Sequence, residues 1–544
     1  MRKKTLSALL CTVAAMAVLT GCGGDKKETA AAPAEANTTA AVTEAAKTEA
    51  ETTAAAQTEA GGEKNLVMPS ASCVANLNPL LEGYKEAAML NPIYDPLYVI
   101  DVNETRYYLA DSYEVSEDGM QITVKLKEGL KWHDGEAITA DDMIFTMDVC
   151  SDTNNGAGGT NIVILNDQPV KYEKVDDLTV KVTLPMASAS YADLLGGLTL
   201  IPEHVFEGNP SVVSAGEANM KGIGSGPYKV TEFKQDEYLL LEKYEDYYMG
   251  APSIDKVTFR IISDLSAQEV ALMNGEVNFM ELANAPAVAK YEADPNFTVV
   301  KYPEGRVNYL AVNKFCETVQ DPKVVEAVFA ALNRDEIIAG AYGDGMAESA
   351  NSIFSNVNTF YDPSVEGYTQ DVEKAKQLVK ETGLDSKTLT LYFNSERVYM
   401  KESAQIIQQQ LKNVGINLEV IPLESAGFFE KVFGTDGDYE FYLNGYGAVG
   451  DPDQVVAGMY DGTWGVNLAV SDEVSQLWKD ARTVYTPEER AAIYKQIQIQ
   501  TRDELTCYPI AYPNYVFVTT SNIKGADTIK RTPVFEDYTK LTME

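Results

Sequence analysis

The sequence predicts an α/β protein built from more than one packed lobe. Three observations carry this. The chain has 544 residues, more than one simple hydrophobic core organises. Ile122, Val124 and Leu126 alternate as in a half-buried strand. Met400, Ala404, Ile407, Leu411 and Val414 recur at steps of three and four, Gly415 follows, and Ile416, Leu418 and Val420 then alternate. That order of helix, glycine stop and strand is the unit from which sheets with helices on their faces are assembled.

Other elements follow from local chemistry. Thr139-Ala140-Asp141-Asp142 opens a helix, with Thr139 as cap and the acids at the positive end of the helix dipole. Asp321-Pro322 starts another, because proline at the first helical position gives up an N–H that has no partner there. Its apolar face reads Val324, Val328, Ala331 and Leu332. Trp132-His133-Asp134-Gly135 reads as a rigid turn after a strand, which makes His133 a scaffold residue. The glycine-rich Gly222-Ile223-Gly224-Ser225-Gly226-Pro227 leads into Tyr228-Lys229-Val230, so it is a turn into a strand and not a phosphate loop into a helix.

The start of the chain reads as an export and anchoring signal. Arg2, Lys3 and Lys4 precede an uncharged apolar run from Leu6 to Leu19, and Leu19-Thr20-Gly21-Cys22 follows. This pattern predicts cleavage after residue 21 and lipidation of Cys22. The run is too short for an ordinary spanning helix, so the expected contact with the membrane is the lipid anchor alone. Residues 23–64 are rich in Ala, Thr and Glu. They bury too little apolar surface to offset ordering entropy, and as a coil they would reach about 35 Å. The expected plan is therefore a signal over 1–21, a tether over 22–64 and a folded part from Asn65.

Composition narrows the function. The net charge is −37, which argues against nucleic acid as a partner. Two histidines, His133 and His204, stand 71 residues apart. No zinc or EF-hand motif is present, and no metal or cofactor is expected. P-loop and GxSxG motifs are also missing. Cys73, Cys150, Cys316 and Cys507 lie far apart and read as isolated thiols, with pairing left open.

Leu109-Ala110-Asp111-Ser112-Tyr113 to Asp118-Gly119, then Leu126-Lys127-Glu128-Gly129-Leu130-Lys131-Trp132-His133-Asp134-Gly135 and Ile138-Thr139-Ala140-Asp141-Asp142, form an ordered series. Ile201-Pro202-Glu203-His204, Gly224-Ser225-Gly226-Pro227-Tyr228, Tyr247-Tyr248-Met249-Gly250 and Asp451-Pro452-Asp453 continue it. The series resembles the extracellular solute-binding proteins of the peptide/nickel type, family 5, over residues 65–525. Tyr113 stands where that family usually has Trp.

The resemblance implies a two-lobe periplasmic-binding-protein-like fold of type II, the large cluster with an extra inserted subdomain. Lobe I would span 65–311 with the insertion at about 104–212, lobe II 312–505, and 506–544 would return to lobe I. The chain would cross between lobes near Arg306–Asn313 and Cys507–Tyr515. It further implies a non-enzymatic monomer that captures a small solute, a peptide favoured, in the interlobe cleft. The solute would pass to the permease subunits of an ABC importer at the outer face of the bacterial cytoplasmic membrane. Candidate cleft residues are Asn76, Asn78, Arg306, Asn308, Tyr446, Asp451, Trp464 and Asn467. In peptide-binding relatives an acid after a Gly-Trp holds the peptide amino group. Here Tyr446 replaces that Trp and Val449 stands near the acid's place. Alternatives on the same residues are a peptide-sensing or adhesion lipoprotein and a secreted hydrolase.

Overall fold

The structure is a computed structural model, and it describes residues 63–82, 89–100, 104–447, 449–461, 468–528 and 537–544. The signal, Cys22, residues 23–62 of the tether, Trp464 and Asn467 lie outside the described residues.

Four strands make the first sheet. Asn65–Ser70 pairs in parallel with Lys256–Ile261, which pairs antiparallel with Tyr238–Lys243, and that with Tyr228–Lys234. Alternate residues Leu66, Met68, Leu239, Leu241, Val257 and Phe259 enter one core. Val300 and Phe517 join it from far along the chain.

A second sheet lies between the first strand and its partners in sequence. Ala110–Val115, Gln121–Leu126, Thr179–Thr183 and Lys171–Asp176 form an antiparallel four-stranded sheet. The alternation at Ile122, Val124 and Leu126 faces a core of its own with Trp132, Met143, Met147 and Leu195. The helix Ala140–Ser151 packs there. Thr139 caps it reciprocally with Asp142, whose carboxylate accepts the Thr139 N–H at 2.9 Å.

The third sheet follows the order Phe279–Glu281, Cys507–Thr520, Arg306–Val312, Phe441–Gly447, Thr388–Asn394, Asn417–Leu423. Helices cover both faces. Leu310 and Val312 point to the side of Pro322–Ala331, Val372–Thr382 and Val398–Asn413, where Val328, Val379 and Ile407 pack. Val307, Tyr309 and Ala311 point to the other, among Phe428, Trp478 and Tyr494. The period-2 side-chain alternation of one strand therefore feeds two cores. Gly415 takes φ +92° after the helix Val398–Asn413, and the next strand starts at Asn417. The sequence-predicted unit is present at those positions. Leu332 lies just past its helix in extended geometry, as the C-cap.

One strand belongs to two environments. Cys507–Thr520 pairs with Arg306–Val312 through Cys507–Ala511 and with Phe297–Pro303 through Asn514–Thr520. The two chain segments 297–312 and 507–520 thus run antiparallel side by side. Their early and late ends enter different cores: Tyr508 and Ile510 in one, Val516 and Val518 in another. The pairing slips between Asn308 and Tyr309, opposite Pro509, a residue with no N–H for the ladder. Cys73, Cys150, Cys316 and Cys507 are free thiols, three of them buried.

Candidate ligand-binding site

His133 donates from Nε2 to the Gly226 carbonyl at 2.9 Å and accepts the Gly224 N–H on Nδ1 at 3.2 Å. One donor and one acceptor on the ring fix a neutral tautomer. Burial pushes its pKa down to about 4. Asp95 is buried and accepts hydroxyl donors from Tyr247 at 2.9 Å and Tyr248 at 2.8 Å. Burial pushes this carboxyl up to about 7. His204 is paired with Asp134 at 2.8 Å.

The pairing of Arg306–Val312 with Phe441–Gly447 brings three of the expected cleft residues onto one ladder. Arg306 lies opposite Gly447, Val307 opposite Tyr446 and Asn308 opposite Gly445. Arg306 donates to Glu304 at 3.1 Å and to the Gly445 carbonyl at 3.2 Å. Asn308 is buried and donates from Nδ2 to the Tyr342 hydroxyl at 2.9 Å. Its Oδ1 has no hydrogen-bond partner among the described residues. A Cβ on Gly445 would lie 2.0 Å from that oxygen, so glycine is what lets the two strands close there. Tyr342 stacks on Tyr399 with centroids 5.4 Å apart. Together with Asn308, Ser403 and Asn444, and with Met400 and Leu443 beside them, these rings line a small cavity of mixed character.

Tyr446 turns its hydroxyl inward, donating to the Ile353 carbonyl at 2.6 Å, and its ring lies 5.2 Å from that of Tyr309. Asp451 is buried and grips Arg490 through both oxygens, at 2.6 and 3.0 Å. It also caps the short helix Pro452–Val455 by accepting the Asp453 N–H. Asn76 and Asn78 sit elsewhere, in a turn. Asn76 Oδ1 accepts the Asn78 N–H at 2.8 Å, and buried Asn78 donates to Asn219 Oδ1 at 2.9 Å. Val449 is partly exposed, and a methyl of its side chain fills the space beside Gly305, whose φ is +73°.

Sequence reasoning missed Glu304, Tyr342 and Tyr399. Glu304 and Arg306 flank a glycine, a readable signal of a charged turn. Tyr342 and Tyr399 carry no periodic mark, because a stacked pair from two separate segments has none.

Residues 104–467 match the family of bacterial extracellular solute-binding proteins, family 5 (middle region). The dipeptide-binding protein of Escherichia coli strain K12 is 27% identical over 499 residues, covering 85% of this chain and 92% of its own. The crystal structure of the ABC transporter substrate-binding protein CtaP from Listeria monocytogenes superposes with a TM-score of 0.82. It is 33% identical and covers 88% of this chain and 99% of that one. The oligopeptide-binding protein AppA of Bacillus subtilis in complex with a nonapeptide gives 0.69 at 26% identity, covering 89% and 99%. With a family match spanning most of the folded residues and the same two-sided architecture in solved relatives, the chain belongs to the bacterial extracellular solute-binding proteins of family 5.

Proposed function

We propose that this protein captures a peptide-like solute between two lobes and hands it to the permease of an ABC importer. The observation that carries the reading is the pair of antiparallel segments 297–312 and 507–520. They link separate hydrophobic cores and the first is broken at Glu304-Gly305, where Gly305 takes positive φ. Such a pair is a hinge, and a solute touching both sides shifts the hinge by its differential affinity for the closed form. The relatives above named for dipeptide and oligopeptide binding, one of them holding a nonapeptide, support a peptide over other solutes. On this reading lobe I is 65–311 with its insertion at about 104–212, lobe II is 312–505, and 506–544 returns to lobe I. Cys22 anchors the monomer to the outer face of the membrane.

Arg306, Asn308, Tyr342 and Tyr399 are the polar and aromatic groups we assign to the solute. Asp451 is engaged by Arg490, and Val449 stands where an amine-binding acid is expected. A free peptide amino group is therefore not the main anchor, and the peptide main chain is held by protein backbone.

Native mass spectrometry of the folded protein with defined peptides of two to nine residues, free or N-acetylated, tests this. Retention of both forms with similar affinity is the expected result. Strong preference for the free amine would remove the anchor argument. Retention of no peptide of any length by the folded protein would refute peptide capture.

A further inference from the structure

Apart from the paired segments, a second set of contacts joins the core around Tyr191 and Leu195 to the core around Val456 and Ala457. Among the described residues at least five hydrogen bonds cross between them. The Asp451 N–H donates to Asp193 Oδ2 at 2.9 Å. Ser190 Oγ donates to Asp453 Oδ2 at 2.9 Å, and Gln454 Nε2 donates to Ser190 Oγ at 2.6 Å. The Ala189 N–H donates to the Arg482 carbonyl at 2.9 Å. Tyr485 donates to the Gly119 carbonyl at 3.4 Å. A Cβ on Gly119 would lie 1.9 Å from the Tyr485 ring, so only glycine lets the ring come this close.

The two sides are unequal. On one, Asp453 is already fixed: Arg482 donates to its Oδ1 at 2.5 Å and to buried Asp461 at 2.5 Å. This leaves Oδ2 of Asp453 aimed outward as an acceptor. On the other, Ser190 is fully buried by the contact and uses its hydroxyl as donor and acceptor at once. All the bonding groups here are polar. Opening exchanges each bond for one to water at small net cost, whereas an apolar seam would resist opening in proportion to its area. Protein atoms alone make these bonds, so they act with or without solute.

We propose that the segment Ser188–Asp193 is a closure latch that docks onto Asp451–Gln454 and Arg482 and sets how often the cleft opens. Ser190 and Asp193 are positioning residues: they govern solute retention through the closed state and do not touch the solute. The proposal rests on the hinge reading above, but its test needs no solute and so fails separately from peptide capture.

The test is hydrogen exchange followed by mass spectrometry on the full chain without added peptide. The Ala189 and Asp451 amides report directly, because each donates across the seam. Ser190→Ala removes two of the five bonds. At about 1 kcal/mol each, their loss should speed exchange of these two amides by about tenfold or more. The strands Ile122–Leu126 and Arg306–Val312 should stay unchanged. Gln454→Ala, which removes only the bond to Ser190, should give a smaller increase at the same two amides. Unchanged exchange at both amides in Ser190→Ala, or acceleration shared equally by the strands, would overturn the latch.

Discussion

His133 offers a prediction that can be worked from its two hydrogen bonds. In the native state its ring is held between the Gly226 carbonyl and the Gly224 N–H, and burial pushes its pKa from 6.5 down to about 4. A proton on Nδ1 would face an N–H that already points at it. The unfolded chain takes the proton first as pH falls, so native stability from this group is present above pH 6.5 and is lost between 6.5 and 4. With about 1.4 kcal/mol per unit, the loss is about 2 kcal/mol at pH 5 and about 3 kcal/mol at pH 4. Asp95 acts in the opposite sense. Its carboxyl is raised to about 7, so its contribution is present at low pH and is lost as pH rises through 7. Urea unfolding of the wild type and of His133→Gln, each measured at pH 7 and pH 5, separates the two. Asp95 cancels in the difference between proteins, and the wild type should lose about 2 kcal/mol more than the variant on going to pH 5. Equal losses in both proteins would mean that His133 titrates normally and that its ring is not held as described.

Two further outcomes concern the ladder and the turn after it. Arg490→Ala leaves Asp451 buried without its partner, and should cost about 3–5 kcal/mol in denaturant unfolding. Gly445→Ala drives a Cβ to 2.0 Å from Asn308 Oδ1 and should cost about 1–3 kcal/mol in thermal unfolding. In the Gly445→Ala/Asn308→Ala double variant part of that cost should return, giving a double-mutant coupling that independent sites would not show.

What the sequence revealed divides along the range of the interactions. The helix Ala140–Ser151, the unit around Gly415, the strand Gln121–Leu126 and the turn at His133 are set by neighbours within a few residues. A cap, a period or a glycine with positive φ marks each one. Arg306 and Asn308 were expected from the crossing that the family pattern implies, and Tyr446 from its Gly-Trp position, but their bonds were not foreseeable. Arg490 meets Asp451 from 39 residues away, and Asp193 meets it from 258. No periodicity spans such distances. The aromatic pair Tyr342 and Tyr399 was invisible for the same reason: each ring, taken alone, reads as one more half-buried tyrosine.

The strand Cys507–Thr520 has a consequence for the life of the chain before it is folded. It is an interior strand, yet it is made long after the strands Phe297–Pro303 and Arg306–Val312 that it joins. Until residue 507 and those after it emerge, Arg306–Val312 has a neighbour on one side only, and Phe297–Pro303 has none of its ladder. Sheets that wait for distant partners form slowly. A ribosome-bound chain of this protein therefore stays without its central seam until residues 507–520 are free. Loss of residues 507–520 would leave a polypeptide whose sheet cannot be completed, not a shorter version of the same protein.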